Sequence, residues 1–285
     1  MRDDETQSAP WRSTELLTPG WQTGEIDTSV AHTARMYDYY LGGKDNYEVD
    51  RDAAEQVLAV FPQMRTIARE NRAFLGRAVR YLAGKGISQF LDIGTGIPGP
   101  GNTTEVAHQV APDARVVYVD NDPIVMAHAS ALLADHDPAR TSVIHGDLRD
   151  PHGILDDPRV RAVLDFDQPV AVLLVAVLHF IEERERPAEI VQTLMSSVPP
   201  GSFLVLSHAS ADNERELATE AATVYDRANA RISLRSKPEI ARFFDGLELV
   251  EPGIVELPWW QPDGEVTADP EQNWGYAAVA YKSAS

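Results

Sequence analysis

A chain of 285 residues with 44% hydrophobic content is long enough to bury a sizeable core, and 25 basic against 44 acidic residues leave a formal net charge of -19. Such a field repels phosphates, which argues against nucleic acid or an anionic membrane as a partner and leaves solubility as its plain consequence. Cysteine is absent, so there is no disulfide framework, thiolate nucleophile or zinc-cysteine site, and no apolar run reaches membrane length; the expectation is a cytoplasmic protein built as one large α/β domain with a helical cap.

Residues 1–25 carry Ser, Thr, Pro, Asp and Glu without apolar periodicity and read as a mobile tail, with Trp11 and Trp21 free to dock locally. From Ser29 a short helix is expected, with Ala34, Met36, Tyr37, Tyr40 and Leu41 on overlapping apolar faces and Gly42-Gly43 as its stop. Gly42-Gly43-Lys44 is too short for a nucleotide triphosphate loop and no strand precedes it. Two more helices follow, over 51–60 and 63–83. The second has an apolar stripe of Ile67, Phe74, Leu75, Ala78, Val79 and Leu82, which is core packing, and Gly84 and Gly86 close it. Residues 26–86 therefore read as a helical cap ahead of a core over 87–285.

The core opens on the run from Ile87 to Ile93, apolar enough for a strand buried on both faces, which passes through Asp92 into Gly94-Thr95-Gly96-Ile97-Pro98-Gly99. The spacing of Gly94, Gly96 and Gly99 matches the dinucleotide fingerprint. That match is weak alone, because Pro98 and Pro100 delay the helix that should meet a pyrophosphate. A better helix start is Asn102, with Glu105 completing a capping box and Val106 and Val110 as the apolar face. A wide glycine loop beside a carboxylate suits a ligand with a cationic amino-acid end and an adenosine end, which describes S-adenosylmethionine. Asp92 is placed to draw the ammonium. The next strand, 115–120, again ends in a carboxylate, and Asp120 is the candidate for the ribose diol.

Asp122 before Pro123 reads as the N-cap of a helix running to about Leu133. A third strand over 141–145 leads to Gly146-Asp147-Leu148, where Asp147 either accepts the adenine amino group or serves as a turn residue. The most hydrophobic run, 169–178, is the central strand. It ends at His179, which either faces the crevice as a base or hydrogen-bonds nearby backbone, and Val175 and Ala176 are placed to line a cofactor. A helix over 189–198 and a strand over 202–207 lead to a second histidine, His208, also a base candidate. Residues 212–235 read as a long charged helix within an insertion spanning about 211–245, in which Ser236 and Glu239 form a capping box. The last strands are expected over 248–254 and 274–281, with Trp259-Trp260 packing the connection or lining an aromatic site. The histidines show no metal-ligand spacing, so no metal site is expected.

Three segments carry a resemblance: Leu91 to Gly99, Tyr118-Val119-Asp120-Asn121-Asp122-Pro123, and Arg35 to Tyr47 with its Tyr37-Asp38-Tyr39-Tyr40-Leu41-Gly42-Gly43-Lys44-Asp45-Asn46 core. With 243–253 they make the chain resemble a class I S-adenosylmethionine-dependent methyltransferase, and more narrowly the actinobacterial S-adenosyl methyltransferase family first catalogued as a domain of unknown function. The resemblance implies a doubly wound, mostly parallel, seven-stranded Rossmann-like sheet with an N-terminal helical cap. It also implies S-adenosylmethionine as cofactor; the family's substrates do not carry over, and the expected function is methyl transfer to an unidentified small-molecule acceptor. In that reading Asp92, Gly94, Thr95 and Gly96 hold the methionine end, Asp120 and Asn121 the ribose, and Asp147 and Leu148 the adenine. Tyr37, Lys44 and Asn46 fold over the cofactor, and His179 and His208 are base candidates. Two other functions fit the same residues. One is a regulatory module that binds the cofactor without catalysis; the other is a nicotinamide-dependent oxidoreductase, favoured only by the glycine spacing.

Overall fold

The computed structural model describes residues 27–132, 136–212, 215–227, 231–266 and 275–284. The expected tail over 1–25 lies outside them, as does Trp274 at the start of the last expected strand. The cap consists of α1 (Thr33–Leu41), α2 (Glu48–Val60) and α3 (Met64–Gly84). Helix α1 stops at Gly42, whose φ of 83° is the left-handed turn a glycine takes without strain. Helix α2 begins three residues earlier than the sequence pattern suggested, because Asp50 reaches back to the backbone N–H of Tyr47.

Five parallel strands follow: β1 (Gln89–Ile93), β2 (Arg115–Asp120), β3 (Thr141–His145), β4 (Ala171–Val175) and β5 (Phe203–Ala209). Crossover helices α4 (Thr103–Val110), α5 (Pro123–Leu132), α6 (Pro151–Asp156), α7 (Pro158–Val163) and α8 (Pro187–Ser196) connect them. After β5 come α9 (Arg215–Arg227), α10 (Lys237–Ala241), β6 (Glu248–Leu249), β7 (Val255–Glu256) and the antiparallel β8 (Gly275–Tyr281). The sheet order is β3-β2-β1-β4-β5-β8-β6, with β7 also on β8. The expected last-but-one strand is thus two short pieces on one edge, Leu249 opposite Ala280 and Val255 opposite Ala277, interrupted at Glu251-Pro252-Gly253. A proline donates no ladder hydrogen bond, and Gly253 turns back onto the Val250 carbonyl.

Alternate strand residues feed opposite faces. Leu91, Val117, Val172 and Leu204 pack on one side with α8 residues Val191 and Leu194. Phe90, Val116, Leu173 and Val205 pack on the other with Phe74, Val79 and Leu82 of α3. Burial on both faces explains why these strands read as unbroken apolar runs. Each such side chain is worth roughly 1.5–3 kcal/mol relative to exposure.

Several expectations change. The central strand stops at Val175, not Leu178: Ala176 turns left-handed at φ 56° and residues 178–180 form a 3-10 turn. His179 therefore lies in a turn rather than at the strand's last residue. The long helix over 212–235 contracts to α9, and residues 231–236 have no regular structure. Val110 is 44% exposed and gives α4 no apolar face beyond Val106 and Ala107. Helices α6 and α7 were not anticipated, although Asp150-Pro151 and Asp157-Pro158 repeat the Asp-Pro start that announces α5, and each aspartate caps its helix.

Candidate functional site

The carboxyl ends of β1, β2, β4 and β5 open into a cavity of about 770 Å³, roofed by α1, α3 and α9. Ligands of open α/β sheets bind at this edge. The glycine loop is its floor. Gly94 donates to the Val119 carbonyl at 2.8 Å, which ties the loop to β2, and φ values of 73° at Gly94 and 64° at Gly96 need residues without a Cβ. A Cβ on Gly94 would collide with the Val177 side chain. Gly99 stays outside α4, which starts only at Thr103 with Asn102 as its cap. The dinucleotide spacing therefore never enters a helix.

Asp92 is buried at 3% exposure. Its Oδ2 accepts hydrogen bonds from Thr103 Oγ1 at 2.6 Å and Thr95 Oγ1 at 3.3 Å, while Oδ1 has none among the described residues. Burial pushes this carboxyl up to about 6, against the pull of Thr103 and of the Arg72 charge. A buried carboxylate with one unused oxygen and no ion pair calls for a cation, which fits the ammonium of an amino-acid moiety. Asp120 uses one lone pair of each oxygen on backbone, accepting from Gly96 N at 2.8 Å and Asp122 N at 2.9 Å. Each oxygen keeps a second acceptor site, which suits a diol. Burial raises Asp120 too, opposed by those two hydrogen bonds. Asp122 caps α5 through Ile124 N at 2.8 Å and pairs with His32 at 2.7 Å; burial notwithstanding, His32 holds it below the usual carboxylate range.

Asn121, Asp147 and Leu148 also line the cavity. Asp147 is a turn residue and a wall residue together: its Oδ1 accepts from Arg149 N at 2.9 Å, and Asn121 Nδ2 approaches Oδ2 at 3.4 Å. Tyr37 reaches in from α1, donating to the Ala68 carbonyl and accepting from Asn71 Nδ2, both at 2.9 Å. Lys44 and Asn46 do not line the cavity. Asn46 instead knots its own loop, donating to Asp38 Oδ2 at 2.7 Å, while Asp45 N donates to the same oxygen at 2.9 Å. The Gly42-Gly43 turn folds around the Asp38 carboxylate.

Val175 and Ala176 lie against the cavity, and the left-handed Ala176 is held by Ser207, whose hydroxyl accepts from Ala176 N at 2.9 Å and donates to Asn71 Oδ1. This chain from Tyr37 through Asn71 and Ser207 to Ala176 had one signal in the sequence: Asn71 interrupts the apolar stripe of α3 at the Ile67 to Leu75 spacing. His179 and His208 stand with ring centroids 5.6 Å apart. His208 has both nitrogens engaged, Nδ1 with the Ala209 carbonyl at 2.7 Å and Nε2 with Arg235 Nη1 at 2.8 Å. Since arginine only donates, His208 is neutral with its proton on Nδ1. Burial and the neighbouring His179 hold it well below the usual histidine range. Burial and Arg235 push His179 down to about 3. Trp260 lies fully buried, edge-on to Phe74 and Tyr81, and is a packing residue.

The sequence profile of a family described as S-adenosyl methyltransferase matches residues 19–283. The chain belongs to that family. Its cofactor is S-adenosylmethionine. It is 43% identical to a DUF574 family protein from Streptomyces avermitilis, covering 90% of this chain and 99% of that one with a TM-score of 0.87. It is 39% identical to a provisionally named methyltransferase from Thermobifida fusca, covering 97% and 100% with a TM-score of 0.86. The magnesium protoporphyrin IX methyltransferase of Synechocystis PCC 6803, solved with bound S-adenosylhomocysteine, shares the fold at 14% identity and a TM-score of 0.53, over 87% of this chain and 93% of that one. No curated protein matches the chain. Among the described residues no helix is long and apolar enough to cross a membrane.

Proposed function

We propose that this family member transfers the methyl group of S-adenosylmethionine to a small, largely apolar acceptor held between the cap and the α9 insertion. The observation that carries the reading is an apolar stretch of wall that the same cavity has besides the residues suited to the cofactor. It consists of Val57, Phe61 and Met64 from the cap and Tyr225, Ile232 and Leu234 from the insertion, which line the cavity where cap and insertion pack together. A concave site with largely apolar walls at this point takes a small molecule rather than a polymer.

In this reading Asp92 and the Gly94 to Gly96 turn hold the methionine end, Asp120 and Asn121 the ribose, and Asp147 and Leu148 the adenine. S-adenosylmethionine supplies an already activated methyl group on a sulfonium, so the chain's task is orientation and exclusion of water. The histidines constrain the acceptor. His208 has no free nitrogen. We assign His179 the tautomer with its proton on Nε2, because Nδ1 accepts from Ala209 N at 3.5 Å. A ring whose value is pushed to about 3 is a poor base at neutral pH and a serviceable hydrogen-bond donor. The acceptor is then a group nucleophilic without help, such as an amine, a phenolate or an enolate. The same lack of a ready base favours, as second reading, a module that binds the cofactor without catalysis.

The deciding experiment incubates the protein with methyl-labelled S-adenosylmethionine and pooled aromatic and aliphatic amines and phenols, beside an Ala222→Trp variant that narrows the cavity on the insertion side. Label should pass to the acceptor with the native protein and fall at least tenfold with the variant, while S-adenosylhomocysteine binds both alike. Cofactor binding without transfer to any pool would select the regulatory reading.

A further inference from the structure

Among the described residues, one cation on the cavity wall has no hydrogen-bonded or ion-paired partner. Arg72 lines the cavity and is half-buried, yet its guanidinium makes no hydrogen bond and no ion pair among the described residues. The other arginines on the cavity wall are all engaged. Arg35 pairs with Asp50, Arg149 with Asp147 and Glu185, and Arg184 and Arg231 with Glu182. In a chain carrying a net charge of -19, a half-buried guanidinium with no directly paired carboxylate is unusual. Its N–H donors are left free for a bound anion.

Its place in the fold says which anion. Arg72 follows Asn71, and Asn71 is fastened on both sides, to Tyr37 on α1 and to Ser207 on β5, with Ser207 in turn holding the Ala176 amide. That turn of α3 is therefore pinned over the ends of β4 and β5. Strand β1 lies beside β4, with Asp92 opposite Leu173 in register. Arg72 also acts electrostatically on both Asp92 and Tyr37. A cation and a buried carboxylate thus face one cavity end from two elements. An α-amino acid moiety carries an ammonium and a carboxylate on one carbon; Asp92 alone would attract the first and repel the second.

We propose that Arg72 binds the carboxylate of the cofactor's amino-acid end, completing with Asp92 a two-charge clamp for the zwitterion. This rests on the cofactor reading above. A guanidinium offers parallel N–H donors that match a carboxylate's two oxygens, so lysine should substitute only in part.

The test compares S-adenosylmethionine with its decarboxylated form, which keeps the ammonium and lacks only the carboxylate, by calorimetric titration of the native protein, Arg72→Gln and Arg72→Lys. Native protein should prefer the intact cofactor by about ten- to a hundred-fold, the range of a hydrogen-bonded charge. Arg72→Gln should lose that preference by weakening the intact ligand while leaving the decarboxylated one within about twofold, and Arg72→Lys should fall between. Equal weakening of both ligands, or no change in either, would overturn the assignment; so would a native protein that does not distinguish them, a result independent of any variant's folding. If the native protein bound neither ligand, the cofactor reading itself would fail.

Discussion

In its proposed role Asp92 serves a ligand at the expense of the fold. Its ordinary value of 3.8 rises to about 6 through burial, so the native state holds the proton more tightly than the unfolded chain does. The resulting destabilisation is absent below about pH 4, grows as pH rises between the two values, and is complete above 6. A shift of about two units corresponds to on the order of 3 kcal/mol. Asp92→Asn, which keeps an oxygen for the Thr103 hydroxyl, should therefore stabilise the ligand-free protein at pH 8 and change it little at pH 4, while weakening cofactor binding. Calorimetric melting at the two pH values decides the matter; an equal change at both would mean that the carboxylate is not strained by burial. Gly94 is under the opposite constraint, for its positive φ and the Val177 contact leave no room for any side chain.

Helix α4 shows the same division within one element. Its cap, Asn102, accepts from Glu105 N at 3.0 Å and from the Tyr118 hydroxyl at 3.1 Å, so it joins the helix to the middle of β2 while ending the glycine loop. Asn102→Ala should cost about 1–2 kcal/mol, the usual price of a lost cap, in denaturant unfolding. Asn102→Asp should cost less, because a carboxylate accepts both hydrogen bonds and favours a helix N-terminus. If alanine were neutral, the ties of the loop to the strands would suffice to hold it, through Gly94 and Thr95 on the Val119 carbonyl, Gly96 on Asp120 and the Thr95 hydroxyl on Asp92.

For the whole molecule the dominant electrostatic fact is the net charge of -19. Self-repulsion among like charges disfavours the compact state, and salt screens it, the Debye length falling from roughly 30 Å at 0.01 M to about 8 Å at 0.15 M. The melting temperature should thus rise when sodium chloride is raised across that range, with the larger part of the rise at the low end. A flat response would show that the local ion pairs, such as Arg149 with Glu185, already balance the field. The cap and the insertion also meet at this scale: Met36, Tyr40 and Val57 pack with Val224 and Tyr225, and the Tyr225 hydroxyl lies 3.1 Å from that of Tyr40.

The fold class, the parallel strands, the glycine loop and the carboxylates at the ends of β1 and β2 were determined by the amino-acid sequence alone. Buried strands, Asp-Pro caps and glycine turns are local signals, written in residues a few positions apart. What only the tertiary structure decided is how distant groups meet. His208 looks like a free base in the sequence and is engaged by Arg235, 27 residues on. Lys44 and Asn46 belong to a motif that turns out to knot its own loop, because Asp38 accepts from Asn46. Arg72 is one arginine among several along α3 until Asn71 is seen fastened to Ser207, 136 residues away. Whether a charge is paired, and whether a nitrogen is free, depends on neighbours from other elements, and that information exists only once the chain has folded.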